Sequence, residues 1–131
     1  MSPDHLSDLE SIRRLTCDYG FYWDTRDLDG YARCFLPDGV LDSRPSDPNI
    51  PLAVGRTAIR ELAAAIVGQQ IGQDGGGGSV HAQWNHRIDL NGDEASGTVY
   101  FMALGALQDG SRTEWFGYRD CGPVIRPSGW G

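Results

Sequence analysis

Apolar residues recur at helical spacing from the amino terminus. Leu6, Leu9, Ile12, Leu15, Tyr19 and Tyr22 or Trp23 form one stripe, with Ser7, Asp8, Glu10, Arg13, Arg14 and Asp18 mostly between them. This predicts an amphipathic helix of about four to five turns. A second, shorter helix is predicted from Asp27, a favourable cap, through Tyr31 to Phe35, a pair at i and i+4. Leu36-Pro37-Asp38-Gly39 stops it. Val40-Leu41-Asp42 then reads as a short strand, and Pro45, Pro48 and Pro51 mark an irregular loop. After Gly55, Thr57 can cap a third helix with the stripe Ile59, Leu62 and Ile66, ended by Gln69-Gln70 and the run Gly75 to Gly78.

From Ser79 the pattern changes from a period near 3.6 to a period of two. Strands are predicted at 79–90, 94–107 and 112 to about 120, joined by hairpins at Asn91-Gly92 and Asp109-Gly110. Three helices followed by three long antiparallel strands imply an α+β fold with the helices on one face of a curved sheet. In the first of these strands, His81, Gln83, Asn85 and Arg87 are expected on one face. Val80, Ala82, Trp84, His86 and Ile88 are expected on the other, mostly apolar one. A strand of this kind either has a wet face or lines a polar cavity.

Composition narrows the partners. A chain of 131 residues, 40% hydrophobic and with no compositional break, fits one compact domain spanning 1–131. Its net charge of -7 argues against nucleic acid and anionic membranes, which need clustered Lys and Arg; a small neutral ligand is easier to host. There is no long apolar run, and the first residues are acidic where a signal peptide would be basic and then apolar, so a cytoplasmic protein is expected. Cys17, Cys34 and Cys121 are odd in number and widely spaced, which fits neither a disulfide framework nor a zinc ribbon; they read as small buried hydrophobes.

Several motifs fail on inspection. The glycine run is not followed by Gly-Lys-Ser/Thr and leads into a strand, so it reads as a loop rather than a phosphate cradle. Thr25 to Gly30 resembles the start of a calcium loop, but Thr25 stands at position one and Leu36 at position twelve, leaving a turn with a helix cap. Gly77 to His81 lacks the closing glycine of a nucleophile elbow. His81 and His86, five apart on a strand, are expected on opposite faces, so no metal site is expected from the pair. What remains is a carboxylate at the end of the first helix, Asp24, and an imidazole on the long strand, His81. Asp24 follows Tyr22 and Trp23 near the apolar stripe and needs a partner to stay ionised there. A carboxylate bound to an imidazole fixes its tautomer and makes a general base. From the residues alone, this pair is equally a structural hydrogen bond or a catalytic dyad.

Together these features resemble the SnoaL-like family of the nuclear-transport-factor-two-like superfamily. The likeness is carried by Ile12, Leu15 and Tyr19 on the first helix, Trp23-Asp24 with Asp27 at its end, and Phe35 with Asp38-Gly39. Gly55-Arg56 with Ile59, His81 with Asn85, Gly92-Asp93 with Ala95, and Gly117-Tyr118 with Asp120 continue it. The resemblance implies a cone-shaped α+β barrel, a bent antiparallel sheet wrapped around the long helix and enclosing one apolar pocket. The family includes polyketide cyclases, dehydratases of the scytalone type, ketosteroid-isomerase-like enzymes, epoxide hydrolases and members without catalysis. In the dehydratases, an Asp matching Asp24 supports a His matching His81 that works as acid and base on a cyclic hydroxy-ketone, and Asn85 matches a substrate-binding group. Two departures stand out. The dehydratases' tyrosine pair falls on Trp23 and Ser43, and their second histidine falls within Met102 to Gly105, where there is none. Tyr19, Tyr22 or Tyr100 would then have to supply a phenol. Pro127 to Gly131 resembles the turn and first aromatic of the family's last strand, so either that strand is lacking or Val124-Ile125-Arg126 takes its place.

The function that follows is a cofactor-free, metal-free lyase or isomerase for a small apolar cyclic or polyketide-like substrate. His81 and Asp24 are the expected catalytic pair, with Asn85, Tyr19, Tyr22, Trp23 and Tyr100 around the substrate. The alternatives are a binding or dimerisation module without turnover, and a small auxiliary subunit like that of ring-hydroxylating dioxygenases. In each case the apolar outer row of the long strand suits a homodimer face or, with equal weight, packing within the chain.

Overall fold

The computed structural model describes residues 3–72 and 78–125. Its elements in chain order are α1 (Pro3–Asp24), α2 (Leu28–Arg33), β1 (Val40–Leu41), β2 (Ala53–Val54), α3 (Arg56–Val67), β3 (Ser79–Asn91), β4 (Glu94–Ala106) and β5 (Arg112–Ile125). The three long strands form an antiparallel sheet in the order β3-β4-β5, and β1 pairs with β2 in a separate two-stranded ribbon. This is the α+β arrangement expected from the change of period. The strand at Ala53–Val54 was not legible beforehand, because two residues are too few to show any periodicity.

Helix α1 ends without glycine. Arg26 takes the left-handed conformation at φ 64, and its N–H donates to the Trp23 carbonyl at 3.0 Å while that of Asp27 donates to Tyr22 at 2.8 Å. These two bonds satisfy carbonyls that the helix end would otherwise leave without partners. Asp27 then opens α2 as expected, its Oδ1 accepting from the Gly30 N–H at 2.9 Å. The expected cap of α3 moves from Thr57 to Gly55. The Gly55 N–H is pinned to the Gly39 carbonyl at 2.7 Å, and its φ of 91 is open to glycine but strained for other residues.

The core lies between the helices and the ribbon, built from Trp23, Tyr31, Leu41, Ala53, Ile59 and Ala63. Tyr31 is 0% exposed. Its ring stands 5.1 Å from Tyr19, 5.2 Å from Trp23 and 5.4 Å from Phe35, centre to centre. Tilted and edge-on aromatic pairs of this kind are worth roughly 0.5–1.5 kcal/mol each beyond their burial.

The alternation expected along β3 holds only as far as Trp84. Trp84 pairs with Tyr100 and Arg87 pairs with Thr98, so Asn85 and His86 together oppose one residue of β4. Asn85 is the extra residue of this bulge, at φ 51, a conformation that Asn tolerates better than most side chains. The bulge reverses the phase of the strand. Asn85 and Arg87 are exposed, whereas His86, Ile88 and Leu90 join His81 and Gln83 as half-buried residues. The expected placement of Asn85 and Arg87 beside His81, and of His86 and Ile88 opposite it, is therefore corrected. The turn into β4 is also one residue later than expected, at Gly92-Asp93 with Gly92 at φ 61.

The opposite face of the sheet is apolar and open. In register across it lie Val80 against Leu104, Trp84 against Tyr100 and Met102 against Phe116. All six are exposed, Phe116 the most at 71%. Of the row expected on the outer face of β3, Val80 and Trp84 are exposed, whereas His86 and Ile88 are half-buried within the chain. Strand β5 runs on to Ile125, which pairs with Glu94, so Val124-Ile125 extend the third strand. Pro127 to Gly131 lie outside the described residues.

Candidate active site

Two elements bring the predicted pair together. Asp24 is the last residue of α1 and His81 the third of β3, and the helix crosses the strand where Gly20 leaves room. A Cβ on Gly20 would stand 2.9 Å from His81 Cβ and 2.9 Å from Gln83 Nε2, closer than packed atoms sit. Gly20 is therefore the close-approach point that sets the depth of the strand against the helix. Gln83 Nε2 donates to the Thr16 carbonyl at 3.0 Å and fixes the same contact one turn earlier.

At this junction His81 Nδ1 lies 2.7 Å from Asp24 Oδ1. The His81 backbone N–H donates to Asp24 Oδ2 at 2.8 Å, and Ser79 Oγ donates to Oδ1 at 3.1 Å. The two side chains are 11% and 22% exposed. This half-buried carboxylate is held by these three donors. With Asp24 ionised, the proton of a neutral imidazole sits on Nδ1, leaving Nε2 as the nitrogen free to act on a ligand. Beyond Asp24, Arg26 Nη1 donates to Ser79 Oγ at 2.9 Å. Burial lowers the pKa of the Arg26 guanidinium, and Asp24 opposes that shift.

His81 forms part of the wall of a pocket between the helices and the sheet. Tyr19 and Trp23 of α1, Tyr31 of α2, Leu62, Ala63 and Ile66 of α3, Phe101 and Ala103 of β4 and Trp115 of β5 make the rest mostly aromatic and aliphatic. Leu41, Ser43, Ser46 and Ile50 close it from β1 and the loop behind it. The Tyr19 and Trp23 rings each stand 5.9 Å from the imidazole, centre to centre. A largely apolar pocket whose wall carries one imidazole, backed by a carboxylate outside the lining, is a common form of small-molecule site.

Of the residues singled out beforehand, His81, Asp24, Tyr19 and Trp23 come together here. Asn85 is exposed at the bulge, and Tyr100 stands on the outer face of the sheet against Trp84, at 6.3 Å between ring centres. Neither lines the pocket, nor does Tyr22, which packs against the core. Tyr31, Phe101, Trp115, Ser79 and Arg26 were missed. Ser79 carried a signal, since it lies two residues before His81 and so on the same face; Arg26 carried none, sitting in what reads as a solvated turn. Among the described residues no three His, Cys, Asp or Glu side chains cluster as a metal site needs.

A family profile for the SnoaL-like domain matches residues 4–122. No curated protein matches the chain. Among solved structures, a protein from Novosphingobium aromaticivorans, provisionally assigned as an aromatic ring hydroxylase, is 26% identical with a TM-score of 0.83, over 99% of this chain and 85% of its own. A Mycobacterium tuberculosis protein of unknown function is 22% identical with a TM-score of 0.78, over 99% of this chain and 71% of its own. A Streptomyces avermitilis protein of the nuclear-transport-factor-two-like family, provisionally assigned as a dehydratase, is 14% identical with a TM-score of 0.69, over 98% and 92%. At such identities the last two show a shared fold.

Proposed function

We propose, for a chain that belongs to the SnoaL-like family of the nuclear-transport-factor-two-like superfamily, a lyase or isomerase that works by general acid–base chemistry without a cofactor. The observation that carries this reading is the 2.7 Å contact between His81 Nδ1 and Asp24 Oδ1 at the wall of an apolar pocket. His81 takes a proton from the substrate on Nε2 and returns it to the leaving hydroxyl or to a neighbouring carbon. Asp24 holds the ring and balances the imidazolium formed in between. The aromatic and aliphatic lining favours a small cyclic or polyketide-like substrate, with Tyr19 and Trp23 against it. Asn85, Tyr22 and Tyr100 stand away from the pocket and have no part in this reading.

The test is turnover of a panel of cyclic β-hydroxy-ketones by the protein and by His81→Ala and Asp24→Asn. Each variant is expected to fold and to lose about 10²–10⁴-fold in rate, the usual contribution of a positioned acid–base group. Full activity in either one overturns the assignment.

A second reading, an auxiliary subunit of a ring-hydroxylating dioxygenase, draws on the name given to the Novosphingobium relative. It predicts a stable complex with a large metal-bearing chain and no turnover alone. In either reading we take the exposed row of Val80, Trp84, Met102, Leu104 and Phe116 as the seam of a homodimer. Light scattering on Phe116→Arg is expected to give half the mass of the parent protein. A cytoplasmic location accompanies both readings; among the described residues, no helix is long and apolar enough to cross a membrane.

A further inference from the structure

Arg26 occupies a place where a side chain is unwelcome. It lies two residues beyond the last residue of α1 at φ 64, in the helix-ending position that glycine fills most often, and a non-glycine residue stays there only when its surroundings hold it. What holds it is the guanidinium. Nη1 donates to the Trp23 carbonyl at 3.1 Å and to Ser79 Oγ at 2.9 Å, and Nη2 donates to the Ile71 carbonyl at 3.1 Å. The fit is tight on the far side, where a Cβ on Gly78 would stand 1.5 Å from the Ile71 oxygen and 2.6 Å from Nη2.

The direction of the bonds gives the arrangement a consequence. A guanidinium only donates, so Ser79 Oγ accepts from Arg26 and has its own hydrogen left for Asp24 Oδ1, at 3.1 Å. That oxygen is the one in contact with His81 Nδ1. Arg26, Ser79, Asp24 and His81 thus form one polarised line running from the helix end to the pocket wall. Resting on the reading of His81 as the proton-moving group, we propose that Arg26, acting through Ser79, is the positioning residue of the His81–Asp24 pair. It keeps Asp24 Oδ1 on Nδ1 and so holds Nε2 free for the ligand. Simple helix termination is the competing role.

Arg26→Gly separates the two roles, since glycine suits the backbone there better than arginine does. A mere terminator replaced this way leaves the site intact, whereas a positioning residue does not. The readout is the His81 Nδ1–H signal of ¹⁵N-labelled protein, identified by its loss in His81→Gln. Arg26→Gly is expected to keep the thermal midpoint while speeding exchange of that proton with solvent by about tenfold, the loss expected when a charge-assisted hydrogen bond loosens. Ser79→Ala is expected to match it, and the double variant to add nothing, because both lie on one path. Arg26→Lys does not rescue, as a single ammonium cannot serve three acceptors in a fork.

Unchanged exchange in Arg26→Gly or in Ser79→Ala overturns the proposal, as does an additive double variant. The readout needs no substrate. Full turnover in His81→Ala would overturn the acid–base reading while leaving this measurement to decide the role of Arg26 by itself.

Discussion

The two halves of β3 each place a histidine on the buried side of the same strand, yet they differ in almost everything else. Before the bulge, His81 is met by the end of α1 at Gly20 and by the carboxylate of Asp24, and it forms part of the pocket wall. After the bulge, His86 is half-buried beside Arg13, and burial together with that charge pushes its imidazole below its ordinary 6.5. An imidazole becomes a usable base through the partner that the fold brings to it, and exposure to a helix is not enough. The bulge at Asn85 divides the strand into these two environments.

The largest expected effect tests that division. His81→Gln is expected to reduce turnover by about 10²–10⁴-fold, whereas His86→Gln, with no part in the pocket, is expected to leave it unchanged. Equal losses in the two variants would erase the distinction. The close approach at Gly20 is tested by Gly20→Val, which overpacks the helix against His81 and is expected to cost about 1–3 kcal/mol in a urea titration. A stability equal to the parent's would mean that Gly20 does not set the depth of β3.

Asn85 offers a smaller effect. At its positive φ, Asn85→Val is expected to cost about 1–2 kcal/mol and Asn85→Gly to be neutral or slightly stabilising. The reverse order would remove the left-handed bulge from the account. The smallest effect is one of pH. Because the folded protein binds a proton at His86 less readily than the unfolded chain does, the unfolded chain protonates first. Stability is therefore fully present above about 6.5 and falls as pH drops from there toward the folded value. In His86→Gln this part of the slope disappears, and a urea midpoint falling equally in both proteins over that window would rule His86 out as its source.

Long elements were legible because repetition makes them so. The stripe from Leu6 to Trp23 and the alternating runs after Ser79 are each repeated often enough to reveal their period, and they set the α+β class and the order of elements. Side-chain chemistry singled out Asp24 and His81 as a possible pair, and the resemblance to a known family gave that pair an expected role. Short and aperiodic features were not legible. The ribbon partner at Ala53–Val54 is two residues long, and the bulge inserts one residue into an alternation that looks unbroken when read as letters. That single insertion exchanges the faces of Asn85, Arg87, His86 and Ile88, and Tyr100 falls outside the pocket because it alternates with Phe101, which does line it.

By itself, then, the sequence determined what local periodicity and side-chain chemistry can encode: three helices, a three-stranded meander, an acidic chain, and one carboxylate and one imidazole able to meet. Only the tertiary structure decided that they do meet, at 2.7 Å, that Ser79 and Arg26 stand behind them, and that the strand changes phase at Asn85, just beyond His81. The physical reason is that these features depend on contacts between residues more than fifty positions apart and on a backbone angle at Asn85, and neither leaves a periodic mark along the chain.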